Sequence, residues 1–232
     1  MPTVLFDLDD TLLDHDSFTR FLNRLLRRNP VRLIAAAVLL PFVALLLARP
    51  RWKLRGASLL LWVATVGIRQ TSFDAIVDRY VTDMRVRERL RQAGAEALDR
   101  HIQQGDTVVV VTASADLLAL RLCVDIDPRI EVVASSLRRR FGGLVSGRHC
   151  HGRRKVEMLV ERGLADEVVA AYGDSLSDAP MLDLARKAFL INMSASTIAR
   201  VRAALVRPEE IVEVTWPVVP KAGVVRPADS AP

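Results

Sequence analysis

Aromatic residues are scarce, at 5% of 232 residues, and there are only two cysteines, Cys123 and Cys150. Two cysteines make no disulfide framework and fit a reducing compartment. A formal net charge of +6 is of the kind that meets nucleic acid or anionic membrane surfaces. Here the basic residues are dispersed and the aromatics too few for a stacking platform, which argues against a nucleic-acid reader. No internal repeat is visible. No secretory leader is expected, because the first residues run into "TVLFDLDDT", acidic where a leader would be basic.

What is abundant is aspartate near the start. "VLFDLDDTLLDHDS" carries Asp7, Asp9, Asp10, Asp14 and Asp16 within ten positions, a crowding that needs a cation nearby. Half the residues are hydrophobic, enough for a sizeable core. Short apolar runs alternate with helical ones: "TVLFDL", "TVVVVTAS", "IEVVAS", "EVVAAYG" and "KAFLIN" read as strands. Helices are expected over "SFTRFLNRLLRR" with Asp16 as N-cap, then near 72–83, 87–104, 116–124 and 153–162, with one more ending near 206. "RRRFGGLVSGRHCHG" reads as a glycine-punctuated hairpin or loop. This pattern predicts an α/β fold with a doubly wound parallel sheet. The expected division is a core of 1–15 and 105–207, a helical insertion of 16–104 after the first strand, and a tail of 208–232, partly disordered.

In such sheets, chemistry gathers at the carboxyl ends of strands. Three polar clusters fall there: "DLDDT", "TAS" and "GDSLSD", with Lys155 between the last two. Asp7 and Asp9, two apart in extended backbone, project to one side. Asp7 and Asp174 can share a hard cation such as Mg²⁺. Thr112 and Lys155 supply donors for an anion, and the combination suits a phosphoryl group.

Those four motifs, in that order, resemble the haloacid dehalogenase-like (HAD) phosphohydrolases, and the likeness spans residues 4 to about 205. The resemblance implies that Asp7 is the nucleophile and Asp9 the general acid and then base. It implies phosphate binding by Thr112 and Lys155; Ser114, near Thr112 in the sequence, is read as a further hydrogen-bond donor at the phosphate. It implies Mg²⁺ held by Asp7, Asp174 and the Asp9 backbone carbonyl, with Asp178 ligating through water or orienting the site. The second aspartate favours a phosphatase over the superfamily's dehalogenases, which lack it. Many relatives have glycine where this chain has Asp10, which leaves the local turn open.

The insertion is strongly apolar. Leu33 to Ala48 is sixteen residues, about 24 Å as a helix, interrupted by Pro41 and short of the roughly 20 residues that span a bilayer. Arg27, Arg28 and Arg32 precede it, and Arg49, Arg51, Lys53 and Arg55 follow. A helical hairpin resting on or dipping into the cytoplasmic leaflet is the preferred reading, and a buried packing interface is the other. The segment from Phe21 to Gly67, with its "SLLLW", resembles the cap of phosphatidylglycerophosphatase C-type enzymes, as "FGGLVSGRHCHGRRKVEML" resembles their stretch before the motif lysine. That likeness implies dephosphorylation of phosphatidylglycerophosphate, a step of phospholipid biosynthesis, at the inner face of a bacterial cytoplasmic membrane. A phosphatase of a small soluble ester such as phosphoserine is the alternative. Of the remaining polar features, Asp14 reads as solvated and Arg138 to Arg140 as a solvated face or a headgroup contact. His149, Cys150 and His151 lack zinc-knuckle spacing and read as a loop at the site entrance.

Overall fold

Nine-residue "TVVVVTASA" is apolar on both faces, as a strand covered from two sides must be. It forms β2, Thr107–Ala115, beside β1, Thr3–Phe6, in a six-stranded parallel sheet. The computed structural model describes residues 1–49 and 52–217. Arg51, the side chain of Lys53 and the tail from residue 218 lie outside what is described. The other strands of the sheet are β3 (Glu131–Ser135), β6 (Val168–Gly173), β7 (Lys187–Ile191) and β8 (Glu210–Val214), and the order is β3-β2-β1-β6-β7-β8. From β1 the chain winds to one side and later to the other. The strand order therefore reverses between β1 and β6, the position where α/β sheets open a crevice.

Alternate side chains fill two cores. Val4, Phe6, Val108, Val110, Ala170 and Tyr172 face α5 (Gln92–Gln104) and α6 (Asp116–Ile126). Leu5, Val109, Val111, Ala171 and Ala188 face α7 (Arg153–Glu161), α8 (Ala179–Leu182) and α9 (Ala195–Ala204). The parallel α/β architecture is as the sequence predicts.

Between β1 and β2 lie α1 (Ser17–Arg27), α2 (Pro30–Leu47), α3 (Lys53–Thr65) and α4 (Gln70–Met84), followed by α5, with no strand among the described residues. Asp16 caps α1, its Oδ1 accepting from the Thr19 amide at 2.7 Å. The two strands of chain joining this block to the sheet run side by side through a Leu13–Leu90 bridge. Asp14 is tied down there, paired with His15 and lying 3.8 Å from Arg89, rather than left to solvent. The expected helix over 87–104 is broken: a 3₁₀ turn, Val86–Arg89, precedes α5.

Pro41 does not interrupt α2, which runs on through it for 18 residues, about 27 Å. Asn29 caps α2, accepting from the Val31 and Arg32 amides, and Pro30 occupies the first turn, where its missing N–H costs nothing. α2 and α3 pack antiparallel: Gly56 sits against Leu46 and Leu47 at one end, and Arg32 donates to the Val66 carbonyl at the other.

The predicted hairpin forms from β4 (Leu137–Arg140) and β5 (Gly143–Ser146). It docks on α3, whose Thr65 and Ser58 hydroxyls accept from the Leu144 and Ser146 amides. The expected tail begins too early. Glu210–Val214 extends the sheet as an edge strand, and Trp216 is buried against Tyr172, its ring 5.7 Å away.

Candidate active site

β1 ends at Phe6, and Asp7 continues it, its amide bonded to the Tyr172 carbonyl of β6 at 2.9 Å. The next turn is tight. Asp9 is extended, and Asp10 is left-handed at φ 60°, ψ −8°. Glycine enters that region freely, whereas aspartate is one of the few other residues that tolerate it. This accounts for Asp10 standing where glycine is usual. Its side chain is exposed.

Lys155, on the first turn of α7, is only 1% exposed. Its ammonium donates to Asp7 Oδ1 at 2.5 Å and Asp178 Oδ1 at 2.6 Å. Burial opposes its charge, but the Asp178 and Asp7 carboxylates outweigh that and raise its pKa. Asp178 is fixed again by the Ser175 amide at 3.1 Å and hydroxyl at 2.7 Å. Burial works against its ionised form, but Lys155 and Ser175 hold its pKa below the usual range. Asp174, at the end of β6, accepts from Thr11 Oγ1 at 3.2 Å.

Carboxylate oxygens of Asp7, Asp174 and Asp178 lie within 4.8 Å of one another. Burial pushes Asp7 well above its ordinary pKa and lifts Asp174 to about 7, the neighbouring carboxylates adding to both effects. Three carboxylates against one ammonium leave excess negative charge in a water-poor pocket. Oxygen ligands in that excess fit a hard divalent cation.

The Asp9 carboxylate stands apart from this trio. The Ser17 amide, at the start of α1, donates to its Oδ1 at 2.7 Å, and Thr112 Oγ1 lies 3.4 Å from its Oδ2. Burial raises it to about 6, partly offset by Ser17. Of the four residues expected at a metal, Asp9 therefore brings no side chain to the carboxylate cluster, and the resemblance itself assigned only its backbone carbonyl. Thr112 and Ser114 are buried beside Asp9, the Ser114 amide bonded to Thr112 Oγ1 at 3.0 Å and its hydroxyl 3.2 Å from that of Ser17. Two supporting residues were missed in the sequence. Thr11 stands inside the quoted "DLDDT", and Ser17 was legible as a helix start, where free amides point at an anion.

A cleft of about 420 Å³ opens from Asp9, Ser114 and Ser135 toward Phe18, Leu54 and Leu61 of the insertion. His149 and His151 stack with ring centroids 5.4 Å apart and line it, and Ser135 Oγ lies 3.1 Å from His149 Nδ1. Cys150 between them is buried the other way, its thiol 3.7 Å from the Val133 carbonyl. The cluster is thus part of the cleft wall, as expected of a loop at the entrance.

The family model for haloacid dehalogenase-like hydrolases matches residues 4–183. Protein CicA of Caulobacter vibrioides is 31% identical over 188 residues, covering 78% of this chain and 82% of CicA. Among solved structures, a protein of unknown function from Bordetella pertussis Tohama I aligns with a TM-score of 0.72 at 19% identity, over 91% of this chain and 98% of that one. Phosphoserine phosphatase in its apo form aligns with a TM-score of 0.55 at 13% identity, over 91% and 92% of the two chains. At those identities the two structures share the fold.

Proposed function

The chain belongs to the haloacid dehalogenase-like hydrolases, and from that membership we propose a divalent-metal-dependent phosphatase acting on phosphorylated lipid at a membrane surface. Asp7 attacks phosphorus in line, the bond to the substrate's ester oxygen breaks, and an aspartyl-phosphate forms. Asp9 gives its proton to the departing oxygen. Ionised, it then takes a proton from the water that attacks the same phosphorus, and the bond to Asp7 breaks. A pKa near 6 lets Asp9 serve in both directions. Lys155 holds Asp7 and Asp178 in register and offsets phosphoryl charge. A cation such as Mg²⁺, held by Asp7, Asp174 and Asp178, supplies electrostatic stabilisation of the transferring group when bound.

One observation carries the lipid reading. α2 has a mean hydropathy of 2.3 with only 11% of its residues buried. Ala36 and Val43 face inward, while Val31, Ile34, Val38, Phe42 and Leu45 face out, each more than half exposed. A helix apolar all round is normally covered by protein or lipid. The surface of a membrane, the inner face of a bacterial cytoplasmic membrane on the likeness of the cap, supplies that cover, with the sheet and its site on the cytoplasmic side.

The cleft wall is largely apolar where Phe18, Leu54, Ala57, Leu61 and Leu137 line it, which suits an acylated ester. Phosphatidylglycerophosphate is the preferred substrate on the cap's resemblance. The test is phosphate release from phosphatidylglycerophosphate, phosphatidic acid and phosphoserine in mixed micelles, with Mg²⁺ and with EDTA. The expected result is release from the lipids with Mg²⁺ alone. Fastest turnover of phosphoserine would replace the lipid reading with the soluble one.

A further inference from the structure

Beyond the cleft, a second hollow of about 600 Å³ lies between α3 and the β4–β5 hairpin, lined by Leu54, Leu59, Trp62, Phe141 and Val145 with Arg55 at its rim. Leu54, Ser58 and Ser146 line both hollows, so the groove continues the cleft outward from Asp9. We propose that this groove receives an acyl chain of the phospholipid whose phosphate is cleaved. The assignment rests on the lipid reading above and gives it a location.

Hydrogen bonds tie the walls together. Trp62 donates its indole N–H to the Arg140 carbonyl at 3.1 Å, and Ser58 Oγ accepts from the Ser146 amide at 3.1 Å. The Arg55 guanidinium lies over the Trp52 ring, 4.4 Å from its centroid. Gly143 is required for the close approach, since a Cβ there would fall 2.6 Å from Trp62 Cδ1 and 3.0 Å from its carbonyl oxygen. With the Trp62 indole N–H engaged and Leu54, Leu59, Phe141 and Val145 in its wall, the groove answers an apolar ligand better than a polar one.

The mouth breaks a local rule. Phe141 and Gly142 form a two-residue hairpin loop with both φ angles positive, at 46° and 75°. Asn-Gly is favoured in such loops, and a bulky residue at positive φ is strained. Phe141 is also 88% exposed. A phenylalanine that is both strained and wet gains when an apolar chain lies against it. Arg138 and Arg140 on β4 are exposed beside it, complementary to anionic headgroups. α2, with its uncovered apolar face, packs on the same α3 that forms the groove wall. A chain leaving the cleft along the groove therefore heads for the face proposed to meet lipid.

The experiment uses diacylglycerol phosphates with chains of two to eight carbons, each below its aggregation concentration, with glycerol 3-phosphate as the chainless reference. Working with monomers removes membrane docking from the measurement. In the native protein kcat/KM should rise about two- to fourfold per methylene until the groove is filled. Leu59→Asp, which charges the groove, and Leu59→Trp, which fills it, should both flatten that rise, with melting curves confirming the fold. A flat series in the native protein, or a rise that both variants retain, overturns the groove. If phosphatidylglycerophosphate in bilayers is hydrolysed while the monomer series is flat, the groove fails and the lipid reading stands. If no acylated substrate is turned over, the lipid reading falls and the groove with it.

Discussion

Replacing Asp174 with asparagine should stabilise the metal-free protein even though it removes a ligand. In the unfolded chain this carboxyl ionises near its ordinary 3.8, but burial, with Asp178 and Asp10 nearby, raises it to about 7 in the folded state. Between those values the folded protein binds more protons than the unfolded one, so stability falls as pH rises through the window and stays lower above it. At about 1.4 kcal/mol per tenfold, the full cost above pH 7 is about 4 kcal/mol. The residue is half-buried, and solvent screening reduces this to about 2–3 kcal/mol. Asparagine carries no charge and can still accept from Thr11 Oγ1, which now lies 3.2 Å from the carboxylate. For a domain of this size that is a rise in Tm of about 4–12 °C. Thermal melts in EDTA at pH 8 measure it, and the gain should shrink toward zero as pH approaches 4. Mg²⁺ should raise the Tm of the native protein at pH 8 and leave the variant nearly unmoved. An unchanged or lower Tm for Asp174→Asn in EDTA at pH 8 would refute the reasoning, as would a gain that ignores pH.

Two other substitutions probe the chemistry and the support beneath it. Asp9→Asn should convert turnover of p-nitrophenyl phosphate into one stoichiometric burst of nitrophenol followed by a rate about 10²–10⁴-fold slower, because that leaving group needs no proton while the second step needs a base. Rapid-mixing absorbance reads it, and absence of the burst alongside slow turnover would count against the covalent step. Gly173→Ala would bring a Cβ within 2.7 Å of Asp178 Cβ. It should push Asp178 off Lys155 and cost about 1–3 kcal/mol, seen as a lower urea midpoint together with weaker Mg²⁺ affinity by titration. Stability lost with the Mg²⁺ affinity intact would mean that Asp178 does not serve the metal.

Legibility in the sequence followed burial. β1, β2 and β6 are covered on both faces and advertise themselves as continuous apolar runs. β8 is an edge strand, "EIVEV", with Glu210 and Glu213 exposed, and its alternation was lost beside Pro208. Trp216 fell within the expected tail because the contacts that hold it are distant in sequence: Arg91 Nη1 donates to its carbonyl at 2.8 Å, and Gly94 makes room for its ring. The site divides the same way. Asp7, Lys155, Asp174 and Asp178 are named by motif, whereas their arrangement needs three dimensions. Lys155 bridges Asp7 to Asp178, and Asp9 turns from that cluster to the first amide of the insertion.

That last bond links the chemistry to the substrate-facing block. The Asp9 carboxylate, the proposed proton donor, is held by the Ser17 amide in the opening turn of α1, so a shift of α1 relative to β1 changes the surroundings of Asp9 directly. α1 packs in turn on α2 and α3. The sequence marks α2 as apolar, which serves a buried interface and a membrane face equally well. In the structure Ala36 and Val43 are the buried residues of α2 and Val38 is 73% exposed, and the proposal of a lipid-facing surface rests on that pattern. A lipid surface against α2, as proposed, would act on the same packed helices whose first amide holds Asp9. On the lipid proposal, membrane contact and proton donation by Asp9 would be connected through α1.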